Sequence, residues 1–356
     1  MTKILSADEK LKTLDAVWRL EETDEVPFVV EIGPFHGATK DFFDDSDAEI
    51  KWNEELHKNR EGVYDYGLPN IKPNQGIGVI AAAFGCGYTV NDEADPWIKS
   101  LIREENADDV YKLKIPDPQT NPFFQKIWKR IDDLQNRSSL PLRMVNVPSP
   151  LVTASMIWDY TSFIEALLVC PDEVHVLLEK VTEATIVYIR EQFKRINNLF
   201  SVGHESICPV PRFSGVRISD DTAALLSPDM YREFGVKYNN MISQEFGGIV
   251  VHSCGDVQYV VPAMMEIVGL KGLDFTIPQV MNREAVRAAA AGKVVLCLRQ
   301  RYWDHPSGEK KVDPAEYSKD LIEVFGRKGV IIETSAPSAE EARALGEKMH
   351  RVLCRN

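Results

Sequence analysis

No run of about 18 consecutive apolar residues occurs in this 356-residue chain, so the sequence offers no membrane span. Positive charge is in short supply. The 41 Lys and Arg stand against 54 Asp and Glu, for a formal net charge of −13. That balance argues against nucleic acid or an anionic membrane as the main partner, because no basic face is available to neutralise phosphates. Cysteine is sparse and scattered, at Cys86, Cys170, Cys208, Cys254, Cys297 and Cys354. A chain this long does not need disulfide staples, so the expected compartment is a reduced cytoplasm. The opening MTKILSADEKLKTLDAVWRLEE is charged throughout and has no apolar core of signal-peptide length. Low-complexity segments and short-period repeats are also missing.

What is present is an alternation of strands and helices. Residues 1–140 read as an irregular, helix-rich part that begins with a helix over 7–22 and contains one short strand, FVVEIG. From 141 to 356 the pattern is regular. Strand candidates are 142–147, 199–205, 248–254, 270–276, 293–299 and 329–335, with helical stretches between them. Pro171 should split one long helical stretch in two, and Ser227 followed by Pro228 marks a helix start. Such alternation implies a parallel sheet, either doubly wound or closed. Seven strands are close to the eight of a (β/α)8 barrel. Polar residues at the strand carboxyl ends decide between the two: Glu31, Asn146, His204, Glu205, His252, Cys254, Asp274, Cys297, Glu333 and Ser335. They are spread over at least six strands, and only a barrel gathers so many strand ends at one mouth. The expected fold is therefore a single α/β (β/α)8 TIM-barrel domain over 1–356 with an irregular helical N-terminal extension. GIGVIA (76–81) matches a loose dinucleotide fingerprint, but it follows a proline-containing stretch rather than a strand, so a Rossmann site is not expected.

One stretch carries chemistry. In GIVVHSCGD (248–256) an apolar strand ends in His252 and Cys254. Side chains alternate across a strand, so both project to one face. Imidazole and thiolate are favoured zinc ligands, but two ligands do not close a zinc site. A polar histidine at a strand end beside a buried cysteine also fits an isolated His-x-Cys. His204 and Glu205 end another strand and offer a ligand or a general base. Asp220 and Asp221 precede an apolar helix, where they either cap it or reach the mouth. Asp256 is placed to cap the helix after the His-x-Cys strand. Tyr88 and Trp158 are candidate pocket aromatics, although an aromatic in a barrel more often packs.

The stretch ISDDTAALLSPDMYREFGVKYNNMISQEFGGIVVHSCGDVQYVVPAMMEIVGLKGLDF resembles the uroporphyrinogen decarboxylase superfamily, and within it the cobalamin-dependent methyltransferase branch. The pattern is a double aspartate, then Ser-Pro-x-x-Tyr-x-x-Phe, then His-x-Cys-Gly. AAAFGCGYTV (81–90) resembles the same branch. The resemblance implies a (β/α)8 barrel. It also implies zinc held by His252, Cys254 and a later cysteine, and a methyl group exchanged with cobalamin carried on a partner corrinoid protein. The later cysteine is missing. Ser335 stands nearest its place, which leaves Glu333 and Cys297 as candidate third ligands. A carboxylate in place of a thiolate makes the metal harder, which suits an ether or hydroxyl oxygen better than a thiol.

The decarboxylases of the superfamily meet a polycarboxylate substrate with arginine after the first strand, and EIGPFHGATKDFF has none. A methyltransferase is therefore expected over a decarboxylase or an inert corrinoid- or porphyrin-binding relative. It would have His252, Cys254 and Glu205 as catalytic residues. Glu31, His36, Tyr88, Asn146 and His204 would line the substrate site.

Overall fold

The computed structural model describes residues 3–33, 45–90, 96–203, 208–276, 281–300 and 313–355. Eight parallel strands run through it: β1 (Phe28–Ile32), β2 (Leu142–Arg143), β3 (Leu199–Ser201), β4 (Val216–Ser219), β5 (Ile249–Ser253), β6 (Leu270–Phe275), β7 (Val295–Arg299) and β8 (Val330–Ala336). Strands β1, β8, β7, β6, β5 and β4 pair in that order as one sheet, and β2 pairs with β3. β5 and β8 are buried along their whole length, as parallel strands covered on both faces must be.

Hydrogen bonds outside the regular ladders close the ring. The Arg217 N–H donates to the Val202 carbonyl at 3.2 Å and joins β4 to β3. On the other side, Ile71 bridges Leu142, and the Arg143 N–H donates to the Ile71 carbonyl at 2.9 Å. The same segment reaches β1 through the Tyr66 N–H, which donates to the Phe28 carbonyl at 2.9 Å. The molecule is thus an α/β barrel of the TIM type.

β4 is the strand that the sequence pattern did not mark. It is only four residues long and runs directly into the double aspartate, so it carries no clear periodic signal. Two expected strands are shorter than their apolar runs: 142–147 pairs regularly only at Leu142–Arg143, and 199–205 only at Leu199–Ser201. The helix breaks follow their local chemistry. Helices Tyr160–Val169 and Pro171–Arg195 meet at Pro171, and the Ser227 side chain caps its helix by accepting from the Met230 N–H. The first helix, Ala7–Trp18, ends earlier than expected and starts in a capping box between Ser6 and Glu9.

The barrel matters to the site through register. Ser219 on β4 pairs with His252 on β5, and His252 pairs with Asp274 on β6. Three polar residues therefore sit side by side at one level of the carboxyl end.

Candidate metal centre

His252 is buried at the end of β5, and Cys254 lies just beyond it, half-buried. The His252 Nε2 is 3.1 Å from the Cys254 Sγ. The Thr276 hydroxyl sits on the other side of the sulfur at 3.4 Å. The third member comes from β4. Asp221 opens the 3-10 turn Asp221–Leu225, and its Oδ1 accepts from the Cys254 N–H at 2.6 Å. Among the described residues, Asp221, His252 and Cys254 form a group whose ligand atoms all lie within 4.8 Å of one another. Ligand atoms on a tetrahedral zinc stand about 3.5 Å apart, so modest side-chain rotation brings these onto one ion. One imidazole nitrogen, one sulfur and one carboxylate oxygen is a donor set that zinc accepts, and the residues fit the metal.

The electrostatics favour the same use. Burial opposes a charge on His252, but Asp274 and Cys254 outweigh it and raise the imidazole pKa above its ordinary value. Burial likewise raises the thiol of Cys254, yet the histidine beside it brings the net pKa down. The imidazole thus favours the thiolate of Cys254, and a thiolate is the form that binds metal.

The two aspartates divide the work. Asp220 is fully buried and accepts from the Ser149 Oγ at 2.7 Å, the Tyr231 hydroxyl at 2.7 Å and the Asn239 Nδ2 at 3.0 Å. Its backbone N–H donates to the His252 carbonyl at 2.7 Å. Asp220 therefore anchors the turn from which Asp221 reaches the site.

The structure does not bring Glu333 or Cys297 to the group, which corrects the expectation that one of them completes it. Arg299 points inward, and its Nε lies 3.0 Å from the Glu333 Oε2. Burial pushes the Glu333 carboxyl up to about 7, with Arg299 offsetting only part of that rise. Cys297 is buried in register with Asp274, and burial holds its thiol well above the ordinary range. A cysteine so disfavoured as thiolate is a poor ligand.

Among the other expected residues, Asn146 is buried next to β4, and its Oδ1 is 3.4 Å from the Ser219 Oγ. Glu31 ends β1 in register with Ser335, and its charge helps to raise Glu333. Tyr88 donates to the Gln75 carbonyl at 2.8 Å and packs edge-on against Phe123, which is a packing role. Trp158 is fully buried against Phe163. Asp256 accepts from the Gln258 N–H and closes a turn rather than capping the helix Val261–Met264. His36, His204 and Glu205 lie outside the described residues.

Asp274 was visible in the sequence as a strand-end carboxylate, but nothing there gave it a role. In the fold its Oδ1 is 3.3 Å from the His252 Nδ1, an ion-pair distance without a well-directed hydrogen bond. Its Oδ2 accepts from the Arg217 Nε and NH2 at 2.9 and 2.7 Å and from the Arg299 NH2 at 3.0 Å. Burial opposes ionisation of Asp274, but Arg299, Arg217 and His252 together hold its pKa well below the ordinary value. Arg217 was missed because its short strand, β4, carries no periodic signal of its own.

Comparison with known proteins agrees with this architecture. The uroporphyrinogen decarboxylase (URO-D) family model matches residues 61–203. A uroporphyrinogen decarboxylase of Flavobacterium johnsoniae is 26% identical over 178 residues, which cover 46% of this chain and 44% of that protein. Over these parts of its length the chain is similar to the uroporphyrinogen decarboxylase family. A methyltransferase from Methanosarcina mazei superposes with a TM-score of 0.68 at 15% identity, covering 98% of this chain and 99% of that one. At that identity the likeness carries the barrel fold alone. The family match lies N-terminal to all three residues of the metal group, so the family likeness and the site geometry are independent observations. No helix among the described residues is long and apolar enough to cross a membrane.

Proposed function

We propose that this protein is a zinc-dependent methyltransferase that moves a methyl group between a small substrate and the corrinoid of a partner protein. The observation that carries the reading is the Asp221–His252–Cys254 group at the carboxyl end of the barrel. A decarboxylase that works without metal has no use for a thiol polarised by an adjacent imidazole. Asp221, His252 and Cys254 would hold the ion. When bound, zinc supplies a Lewis acid for the heteroatom that carries or accepts the methyl group.

The chain's own residues do the rest. Asp220 fixes the turn that presents Asp221. The Thr276 hydroxyl contacts the sulfur at 3.4 Å. With two of the three donors being nitrogen and oxygen, the site favours a hard acceptor, so a methoxy or hydroxyl substrate suits it better than a thiol.

The test is methyl transfer to free cob(I)alamin, followed by its absorbance change, with methanol and methoxybenzoates as donors. Zinc-loaded protein should form methylcobalamin, and Cys254→Ala should not. Carbon dioxide release from uroporphyrinogen III by metal-free protein, without methyl transfer, would establish the decarboxylase instead.

A further inference from the structure

We propose that Asp274, clamped by Arg217 and Arg299, is a positioning residue that holds the His252 imidazole in its Nδ1–H tautomer and so keeps Nε2 free to bind metal. The inference rests on the reading of Asp221, His252 and Cys254 as a metal group.

The geometry assigns each oxygen of Asp274 a separate task. Oδ2 takes three N–H donors from two guanidinium groups, at 2.7, 2.9 and 3.0 Å. Oδ1 faces the His252 Nδ1 at 3.3 Å and receives one further donor, the Arg299 Nε at 3.1 Å. A carboxylate oxygen has no proton to offer, so it repels a nitrogen lone pair and accepts from an N–H. With Nε2 and the Cys254 sulfur both given to a metal, the nitrogen facing Asp274 is the one left to carry the proton. The neutral ring then keeps its lone pair on Nε2, the nitrogen beside the Cys254 sulfur. A metal-binding histidine commonly gives its other N–H to such a carboxylate, which fixes ring orientation and raises basicity.

The arginines make Asp274 fit for this role. The Asp274 side chain is 2% exposed, where an unpaired carboxylate would take up a proton. A protonated Asp274 could present an O–H to Nδ1 and reverse the tautomer. Two guanidinium groups prevent this, and they also fix the plane of the carboxylate. The Arg217 side chain is 1% exposed, so the clamp is part of the barrel interior. The Glu333 Oε2 lies 3.0 Å from the same Arg299 Nε that donates to the Asp274 Oδ1. The four side chains His252, Asp274, Arg299 and Glu333 thus run across β5, β6, β7 and β8. The late-strand carboxylate thus has Arg299 and Asp274 between it and His252 and does not reach the metal group.

Asp274→Asn is the informative change. Three N–H donors would demand the amide oxygen on the arginine side and turn the amide NH2 toward Nδ1. Nδ1 would then accept, the proton would move to Nε2, and the metal nitrogen would be lost. Two measurements test this. Long-range 1H–15N spectra of the zinc-loaded protein report the His252 tautomer, assigned against His252→Gln. Competition with a zinc chelator reports affinity.

The Nδ1–H form is expected in the native protein and the Nε2–H form in Asp274→Asn, with zinc affinity down by about 10- to 100-fold. Native protein in the Nε2–H form overturns the proposal without recourse to any variant. An unchanged tautomer and unchanged affinity in a folded Asp274→Asn also overturn it. Native protein that takes up no zinc in the chelator competition would instead contradict the metal reading on which the inference rests.

Discussion

At the residue scale, the site turns on which carboxylate faces the metal. Asp221→Asn is expected to weaken zinc binding by about tenfold or more, as loss of a ligand or its close support does. Glu333→Gln and Cys297→Ser are expected to change it by less than about threefold. Chelator competition on the three variants gives the order, and a dominant effect at Glu333 would return that residue to the metal. His252 and Cys254 were legible in the sequence because strand alternation fixes the relative direction of two residues two apart. The third ligand was not, because Asp221 reaches them only through the β4–β5 register. Arg299 lies two residues after Cys297 on the same strand face, where an unpaired charge would repel a dication. The fold instead pairs Arg299 with Asp274 and Glu333 and neutralises it inside the barrel.

At the element scale, two features outside the site support the barrel. Gly215, just before β4, has φ +87°, and a Cβ there would meet the Gly248 carbonyl oxygen at 1.8 Å. Gly215→Ala must pay left-handed strain of about 1–2 kcal/mol and also push β4 from β5. A loss of about 3 kcal/mol or more is expected from denaturant unfolding, and a loss below about 1 kcal/mol would mean that the approach relaxes freely. His57 closes the helix Ser46–Asn59 onto Asn70, with its Nε2 at 2.6 Å from the Asn70 carbonyl oxygen. Asn70 in turn accepts from the Arg143 Nε at 2.6 Å beside the Ile71 seam. Burial lowers the His57 pKa from 6.5 to about 4. The unfolded chain therefore binds a proton that the folded one refuses, and stability falls as pH drops from 6.5 toward 4. The loss amounts to about 3 kcal/mol once pH reaches the folded value. His57→Gln should flatten that part of the stability–pH curve, and an unchanged curve would assign the acid sensitivity elsewhere. The strand–helix alternation made the barrel legible. β4 and the shortened β2 and β3 were not, because their pairing depends on neighbouring strands rather than on their own periodicity.

At the scale of the whole molecule, the metal is expected to be functional rather than structural. A barrel with so extensive a buried core does not depend on one ion. Cys254→Ala should therefore lose zinc while keeping its circular dichroism and a cooperative thermal transition. Unfolding of that variant would make the ion structural. The central claim, that zinc sits on Asp221, His252 and Cys254, is tested most directly by zinc K-edge X-ray absorption on the zinc-loaded protein. The expected result is one sulfur at about 2.3 Å with the remaining ligands nitrogen or oxygen at about 2.0–2.2 Å. Two sulfurs would bring in a second cysteine, and none would remove Cys254; either result would contradict the site described here.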